Sequence, residues 1–163
     1  MTGMFFLLFL ALVLCTQLQL SLYCTASDYL EDALAASNLA SAVIDIEEYG
    51  ISHTLRIADR EKAYERFMEA VKGNLNLNED FQGREEGVIA GKVQIVNYTI
   101  YDVDGELVTE WTVYEDGSRH IYTDRLGNVK APNGQLIEHT SVYSEITFPV
   151  KGFFGMQMPA RKG

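Results

Sequence analysis

The side chains that most often carry chemistry are few and scattered in this sequence. The three histidines, His53, His120 and His139, stand far apart, and none belongs to an HExxH motif or another paired metal spacing. The sequence has no G-x-S-x-G motif, no Gly-rich phosphate loop and no Cys–His pair of known spacing. We therefore predict a protein that is not an enzyme, with no catalytic, cofactor-binding or metal-binding residue and no cofactor.

Two short motifs have simpler explanations than ligand binding. The run 102–106 (DVDGE) faintly resembles a calcium loop, but it lacks the further ligands and the distal Glu of that pattern. An Asp-Gly pair between strand-like segments is a strong hairpin signal, so Asp104-Gly105 favours a turn. The glycosylation sequon Asn97-Tyr98-Thr99 is a pattern common by chance, and it lies inside a predicted strand.

The two cysteines lie nine residues apart, at Cys15 and Cys24. On one helix their Cα atoms would be about 13 Å apart, given the rise per residue. A disulfide needs a Cα separation below about 7 Å. We expect free thiols, with a bond between subunits as the alternative.

The charge balance is acidic and uneven. The 163 residues carry 23 acidic and 13 basic side chains, for a net charge of −10. This balance argues against nucleic acid as a partner, because phosphate binding needs a basic stripe. The length and the 47% hydrophobic content fit one modest folded domain. The first 50 residues have no basic side chain, and their acids are Asp28, Glu31, Asp32, Asp45, Glu47 and Glu48.

The N-terminal segment predicts a membrane anchor. No charged side chain occurs in residues 1–27, and residues 4–14 are wholly apolar. Residues 4–23 reach the roughly 20-residue length that a bilayer core requires, so the lipid bilayer is their predicted partner. The alternative is a secretory signal peptide, although its cleavage-like site, Thr25-Ala26-Ser27, is weak.

The anchor is predicted to continue as a helix into water. Residues 4–49 contain no Gly and no Pro, and Gly50 stands where a helix C-cap is expected. They predict one continuous or gently kinked helix about 70 Å long, more than twice the bilayer core. It would leave the lipid near residues 23–28, where Asp28, Glu31 and Asp32 follow. Near its C-terminus, Asp45, Glu47 and Glu48 would gain from a basic partner molecule, or from Arg56 and Arg60 of the chain's own domain.

Small residues suggest what the water-exposed part of this helix contacts. Ala33, Ser37 and Ser41 form one row at helical spacing, and Ala36 and Ala40 form another. Such rows allow close approach of two helices. They favour packing between subunits, or packing of an amphipathic helix on its own domain, and both can hold. Further apolar surface comes from Leu30, Leu34, Val43 and Ile46.

The second half predicts a short helix and a sheet. Asp59 can cap a helix over 60–72, with Gly73 behind it and a core face of Ala63, Tyr64, Phe67, Met68 and Val71. A polar loop follows over 74–86. Strands are predicted over 93–102 (central), 106–115, 119–123, 135–138 and 141–150, with Pro149 suiting an edge or a strand end. Consecutive hairpins, with Asp116-Gly117 as the second turn, predict an antiparallel meander.

The predicted fold class is therefore α+β. It comprises a long N-terminal helix that is partly transmembrane, one short helix and an antiparallel sheet of about four to five strands. Three segments are predicted: residues 1–26 as the anchor, 27–50 as the soluble continuation of the helix, and 51–163 as an extracytoplasmic α+β domain.

This layout resembles type IV pilins and pseudopilins, and in particular the TadE-like proteins of tight-adherence pilus systems. The similar stretches are MFFLLFLALVL, YLEDALAASNLASAVIDIEEYG and YSEITFPVKGFFGMQMPARK. In such proteins a prepilin peptidase cuts after Gly or Ala and leaves Glu at the fifth mature position. A cut after Gly3 here would leave Leu8 there, so no processing residue is assigned.

The resemblance implies a single-pass membrane protein whose C-terminal domain is extracytoplasmic. It implies a structural role in a surface pilus or its assembly, through helix packing with other pilin-like subunits or assembly proteins in a homo- or hetero-oligomer. One alternative is a secreted α+β binding module that begins near Ser27. A weaker one is an extracytoplasmic enzyme whose site is assembled from scattered acids.

Overall fold

The computed structural model describes residues 2–85, 89–151 and 157–163. In these residues three helices precede a single sheet of five antiparallel strands, which confirms the predicted α+β architecture. The helices are α1 (Thr2–Ser41), α2 (Ile46–Ser52) and α3 (Arg60–Asn74). The strands are β1 (Gln94–Asp104), β2 (Leu107–Tyr114), β3 (Arg119–Arg125), β4 (Ser141–Lys151) and β5 (Gln157–Lys162).

Helix α1 is continuous through residues 22–28, as predicted, but it ends well short of residue 49. The cause is a backbone pairing with a later part of the chain. The N–H of Asp45 donates to the carbonyl of Arg56 (2.9 Å), and the N–H of Ala58 donates to that of Val43 (3.2 Å). These bonds replace helical ones after Ser41, so the prediction of an unbroken helix to residue 49 is wrong.

The acids that were expected at a helix C-terminus instead begin a new helix. The carboxylate of Asp45 accepts the N–H of Glu48 (3.0 Å) and caps α2, while Glu47 and Glu48 occupy the first turn of α2. There the helix dipole stabilises negative charge. Gly50 lies inside α2 and is not a C-cap.

Helix α3 begins as predicted, because the carboxylate of Asp59 accepts the N–H of Lys62 (3.1 Å). It continues to Asn74, two residues past the predicted end at Lys72. The predicted core face is confirmed: Ala63, Phe67 and Val71 are buried and Tyr64 and Met68 are half-buried.

The strand order is β3-β2-β1-β4-β5, with β1 central as predicted. The first three strands form the predicted meander, with a two-residue turn at Gly105-Glu106. The prediction of a meander throughout is wrong, because β4 pairs with the opposite side of β1. Residues 126–140 make this crossing, and their side chains cover one end of a sheet face. These side chains and those of the sheet residues beneath them form a small second hydrophobic cluster, which contains Tyr101, Val108, Val129, Ala131 and Ile137.

Two further strand predictions differ from the structure. Residues 135–138 form only an isolated bridge, between Lys130 and Leu136. Strand β4 is not an edge, because β5 pairs along it and places Pro159 opposite Pro149; Pro149 does lie near the end of β4, the other predicted position. The sequence pattern did not predict β5.

The main core lies between one face of the sheet and the helices α1 and α3. Tyr98 on β1 is fully buried at its centre. Its ring lies 4.7 Å from that of Phe67 on α3 and 6.5 Å from that of Trp111 on β2. Aromatic contacts of this kind add to the stabilisation from burial.

Candidate functional site

The first part of α1 is uncharged and mostly apolar, and it is exposed along its whole length. None of residues 3–25 is buried, and Phe5, Phe6, Phe9 and Leu12 each leave 64–66% of their surface exposed. In the part of the chain that the structure describes, one helix, near the N-terminus, is long and apolar enough to span a membrane. Its most apolar window has a mean hydropathy of 2.2, and none of that window is buried. Water is a poor solvent for such a surface. This exposed span, residues 3–25, is the first half of the candidate site.

Burial begins at Ala26, which is 2% exposed, and recurs along one face of the rest of α1. We call this face the seam. Its spacing is helical, and its members contact α3 and the sheet. The seam consists of Ala26, Leu30, Ala33, Leu34, Ser37 and Ser41.

Hydrogen bonds fix the upper part of the seam to the domain. The side-chain N–H of Asn74 on α3 donates to the hydroxyl of Ser37 (3.0 Å). The hydroxyl of Tyr98 donates to that of Ser41 (2.9 Å), and burial raises the pKa of Tyr98 to about 12. The hydroxyls of Ser37 and Ser41 are therefore bonded inside the domain. The small-residue row that they form with Ala33 packs on its own chain.

The rest of the surface of the upper helix is not covered in this way by the described residues. Ala36 and Ala40, the second predicted row, are exposed, and Leu39 between them leaves 77% of its surface free. Of the other apolar residues that the sequence singled out, Leu30 and Leu34 are buried while Val43 (41% exposed) and Ile46 (81% exposed) are not. The helix therefore has one face packed within the chain and one face exposed.

Two ion pairs join the last strand to the rest of the domain. Lys162 on β5 pairs with Glu31 on α1 at 2.5 Å, just above the exposed span. Arg161 pairs with Glu145 on β4, and the side-chain amide of Asn97 also donates to Glu145 (3.3 Å). The hydrogen bond from Arg161 lowers the pKa of the Glu145 carboxyl below its ordinary value.

The pairing of Glu145 predicts a dependence of stability on pH. Because its folded-state pKa is lowered, its contribution is complete above the unfolded-state pKa and is lost as pH falls through the folded-state pKa. We expect Glu145→Gln to lower the urea midpoint at pH 7 and the difference from wild type to shrink below about pH 4. Urea unfolding followed across pH measures both. Glu138→Gln, in an exposed loop, is the control; equal behaviour of the two variants would contradict the assignment.

The basic partners expected for the acids of α2 are engaged elsewhere. Arg56 pairs with Asp104, and Arg60 donates to Asp102 at 2.8 Å. Asp102, which is 5% exposed, also accepts the N–H of Ile57 (3.2 Å). The prediction that Arg56 and Arg60 neutralise the α2 acids is therefore not realised in these contacts.

The ion pairs of Arg56 with Asp104 and of Arg60 with Asp102 occupy the carboxylates of residues 102–106, the run that faintly resembles a calcium loop. Its two aspartates hold guanidinium groups on the wall of an open cleft of about 670 Å³. Among the described residues no group of three or more His, Cys, Asp or Glu side chains could hold a metal ion.

The remaining residues of chemical interest are dispersed. His53 ends α2 in a left-handed conformation (φ 57°), His120 contacts the ring of Tyr114 on the sheet, and His139 is exposed in a loop. Cys15 and Cys24 are exposed and are not joined to each other. The sequon lies in β1, where Tyr98 and Thr99 are buried.

Comparison with protein-family models, with curated proteins and with solved structures finds no match to this chain. The features that the sequence did not reveal are the pairing of residues 43–45 with 56–58, strand β5 and the ion pair of Glu31 with Lys162. Strand β5 and Lys162 lie more than a hundred residues after α1, so no local sequence pattern predicts their contacts.

Proposed function

We propose that this chain is a membrane-anchored, pilin-like structural protein that contributes to a surface pilus or to its assembly. The observation that carries the proposal is the exposed span of α1, which is uncharged and mostly apolar and joins the seam without a break. Its 23 residues (3–25) would extend about 34 Å at 1.5 Å per residue, against roughly 30 Å of hydrocarbon. The anchor and the domain thus share one rigid element.

The proposed mechanism is an exchange of apolar environments. The exposed span rests in lipid while the subunit is stored in the membrane. Packing against the apolar helices of neighbouring subunits would keep the same surface away from water when the subunit joins an assembly. Because α1 is continuous, displacement of the anchor would move the whole domain with it.

The free face of the upper helix offers the next contact along such an assembly. Ala36 and Ala40 leave room for close approach of a second helix, and Leu39 supplies apolar area between them. The seam cannot serve this purpose, because its side chains are packed on α3 and the sheet. Neighbouring subunits would therefore use the exposed surface around Ala36, Leu39 and Ala40.

The proposed location is a single-pass membrane position with the domain extracytoplasmic. The first acids after the exposed span, Asp28, Glu31 and Asp32, lie where the helix would leave the lipid. Protease treatment of intact cells tests the orientation: residues 51–163 should be degraded, and their protection would contradict it.

A second candidate is the secreted binding module, and one observation favours it. Burial starts at Ala26, so removal of the segment before Ser27 would leave nearly all of the core in place. The two functions predict different mature proteins. The anchored form keeps residues 4–23 and resists alkaline extraction of membranes, whereas the secreted form begins near Ser27 and is soluble.

N-terminal sequencing with alkaline extraction therefore decides between the two candidates. Electron microscopy of cells with and without the protein tests the pilus role. We expect filaments to be lost or altered without it. If cells without the protein keep unchanged filaments, the structural role is overturned. Membrane anchoring is tested separately by the extraction experiment and is not affected by that result.

A further inference from the structure

Helix α2 packs none of its residues into the domain. It has no buried residue, yet Ile46 and Ile51 leave 81% and 85% of their surface exposed and Tyr49 leaves 46%. Leu55, which follows it, is 43% exposed. A helix this short is marginal in water unless it packs on something, and an exposed apolar patch with a polar rim is typical of an interaction site. We call Ile46, Tyr49, Ile51 and Leu55 the α2 patch.

The rim of the α2 patch is acidic. Residues 42–55 contain Asp45, Glu47 and Glu48 and no lysine or arginine. The next base in the chain, Arg56, is held by Asp104. A surface that covers this patch is therefore favoured when its own rim is basic.

Strand β3 carries the second exposed apolar patch. It is the last strand in the sheet order, and every residue in it except Asp124 is exposed. Ile121 and Tyr122 leave 66% and 59% of their surface exposed on the two faces of this edge. Leu107 and Leu126 continue the patch at the end of the strand. These four residues form the edge patch. An open apolar edge of this kind is one that proteins commonly cover, a helix being one of the covers.

The rim of the edge patch has the opposite charge. Residues 119–130 contain three bases, Arg119, Arg125 and Lys130, and one acid, Asp124. Arg119 bonds Glu61 of α3, while Arg125 and Lys130 lie exposed at the end of the strand. In a chain with a net charge of −10, the edge patch thus offers the basic rim that the α2 patch lacks.

The strand directions place both patches at the end of the domain away from the exposed span. Near the start of β4, the hydroxyl of Ser144 donates to the side-chain carbonyl of Asn38 (2.7 Å). Near its end, Val150 lines a small cavity with Tyr23 of α1. Strand β4 therefore runs toward the exposed span, and its antiparallel neighbour β1 runs away from it.

Both patches meet the far end of β1. Leu107 of the edge patch is registered with Asp104, the last residue of β1, and Arg56, which follows α2, pairs with the same Asp104. The two patches consequently stand at similar heights above a bilayer that holds the exposed span. Neighbouring copies anchored side by side in one membrane can bring them together without inverting either copy.

We propose that the α2 patch of one copy packs over the outer edge of strand β3, at the edge patch, of a second copy of this chain. The inference rests on the proposed function and deepens it, because it names a contact between the domains of neighbouring subunits. Since the two patches differ, each copy in a pair keeps one patch open for a further copy. Such a contact repeats along a row of subunits, as a filament requires.

The test cross-links single cysteines between copies of the full-length protein in liposomes. Cys15 and Cys24 are first changed to Ser. Copies with Ile51→Cys and one affinity tag are then mixed with copies that have Tyr122→Cys and another tag, and a membrane-permeant bis-maleimide is added. In the matched control, Glu69→Cys, exposed on α3 and outside both patches, replaces Tyr122→Cys. Flotation of the same liposomes reports on the anchor.

We expect a product with both tags from the Ile51→Cys and Tyr122→Cys mixture, and little from the control or from either variant alone. Equal yields in mixture and control, with the protein still floating, would overturn the contact and leave the anchor in place. Links mainly between like variants would indicate contact between identical patches and would also overturn it. If the mixed product forms but cells without the protein keep unchanged filaments, the contact stands and the pilus role fails.

Charge reversal tests why the two patches would recognise each other. Glu47→Lys in the Ile51→Cys copy, or Arg125→Glu in the Tyr122→Cys copy, should lower the mixed yield about two- to fivefold, the range expected for exposed ion pairs. Both residues are exposed, so the fold should tolerate either change. Combining the two reversals should restore the yield. A combined sample that stays as low as the single ones would contradict the pairing of these two rims.

Discussion

A Leu8→Arg substitution is expected to release the protein from membranes. Leu8 is 60% exposed within the exposed span, so we expect its replacement to leave the fold of the domain intact. An arginine near the bilayer centre costs about 2.5–3.5 kcal/mol on insertion scales. That is about a hundredfold shift in the partition between membrane and water. Alkaline extraction and flotation with liposomes measure it.

The matched control is Leu39→Arg. Leu39 is 77% exposed, but it lies on the free face of the upper helix, beyond the predicted lipid boundary. This variant should remain with the membrane as wild type does. Retention of Leu8→Arg at the wild-type level would show that residues 3–25 do not hold the protein in lipid.

Truncation of Leu30 is expected to destabilise the domain and leave its membrane attachment unchanged. Leu30 is fully buried in the seam, between the anchor and the sheet. A buried Leu→Ala change removes apolar contact area and leaves a cavity, which costs about 2–5 kcal/mol. Urea unfolding monitored by the fluorescence of Trp111, in detergent or nanodiscs, gives the free energy of unfolding.

Leu39→Ala supplies the comparison, since it removes the same atoms from the exposed side of the same helix. Its effect should stay within about 0.5 kcal/mol, as is usual for surface substitutions. Equal losses from the two variants would mean that both faces of the upper helix are packed, and would contradict the division into a seam and a free face.

Local sequence signals predicted the elements that depend on local physics. The absence of charge over residues 1–27 and of Gly and Pro after residue 4 predicted the long helix. The carboxylate of Asp59 predicted the start of α3, and the two Asp-Gly pairs predicted the β1–β2 and β2–β3 turns. Each of these features is decided by backbone conformation or capping within a few residues.

The elements that the sequence did not predict depend on distant partners. Helix α1 ends at Ser41 because residues 43–45 pair with a segment more than ten residues later, which overrides helix propensity. Strand β5 has a proline and no alternating pattern, and it exists because β4 offers an open edge. For the same reason the ion pairs of the candidate site escaped prediction: Glu31 and Lys162 are adjacent only in the folded chain.

The small-residue rows show where a sequence pattern is ambiguous. Both rows have the same spacing, and either could face a neighbour. The polar groups opposite them decide the outcome, because Asn74 and Tyr98 supply partners for Ser37 and Ser41. No equivalent partner is needed by the alanines at 36 and 40, whose exposed side of the helix is left free.

The contact between Asn38 and Ser144 joins residues 106 positions apart, and it has a consequence for biogenesis. During synthesis the apolar N-terminal helix α1 leaves the ribosome long before strands β4 and β5, which pack against it. Until those strands are synthesised, Leu30 and Leu34 are only partly shielded from water. Chains that depend on contacts between distant residues fold slowly, and they aggregate readily before folding is complete. Early insertion of α1 into the bilayer would keep each newly made chain apart from other copies during that interval.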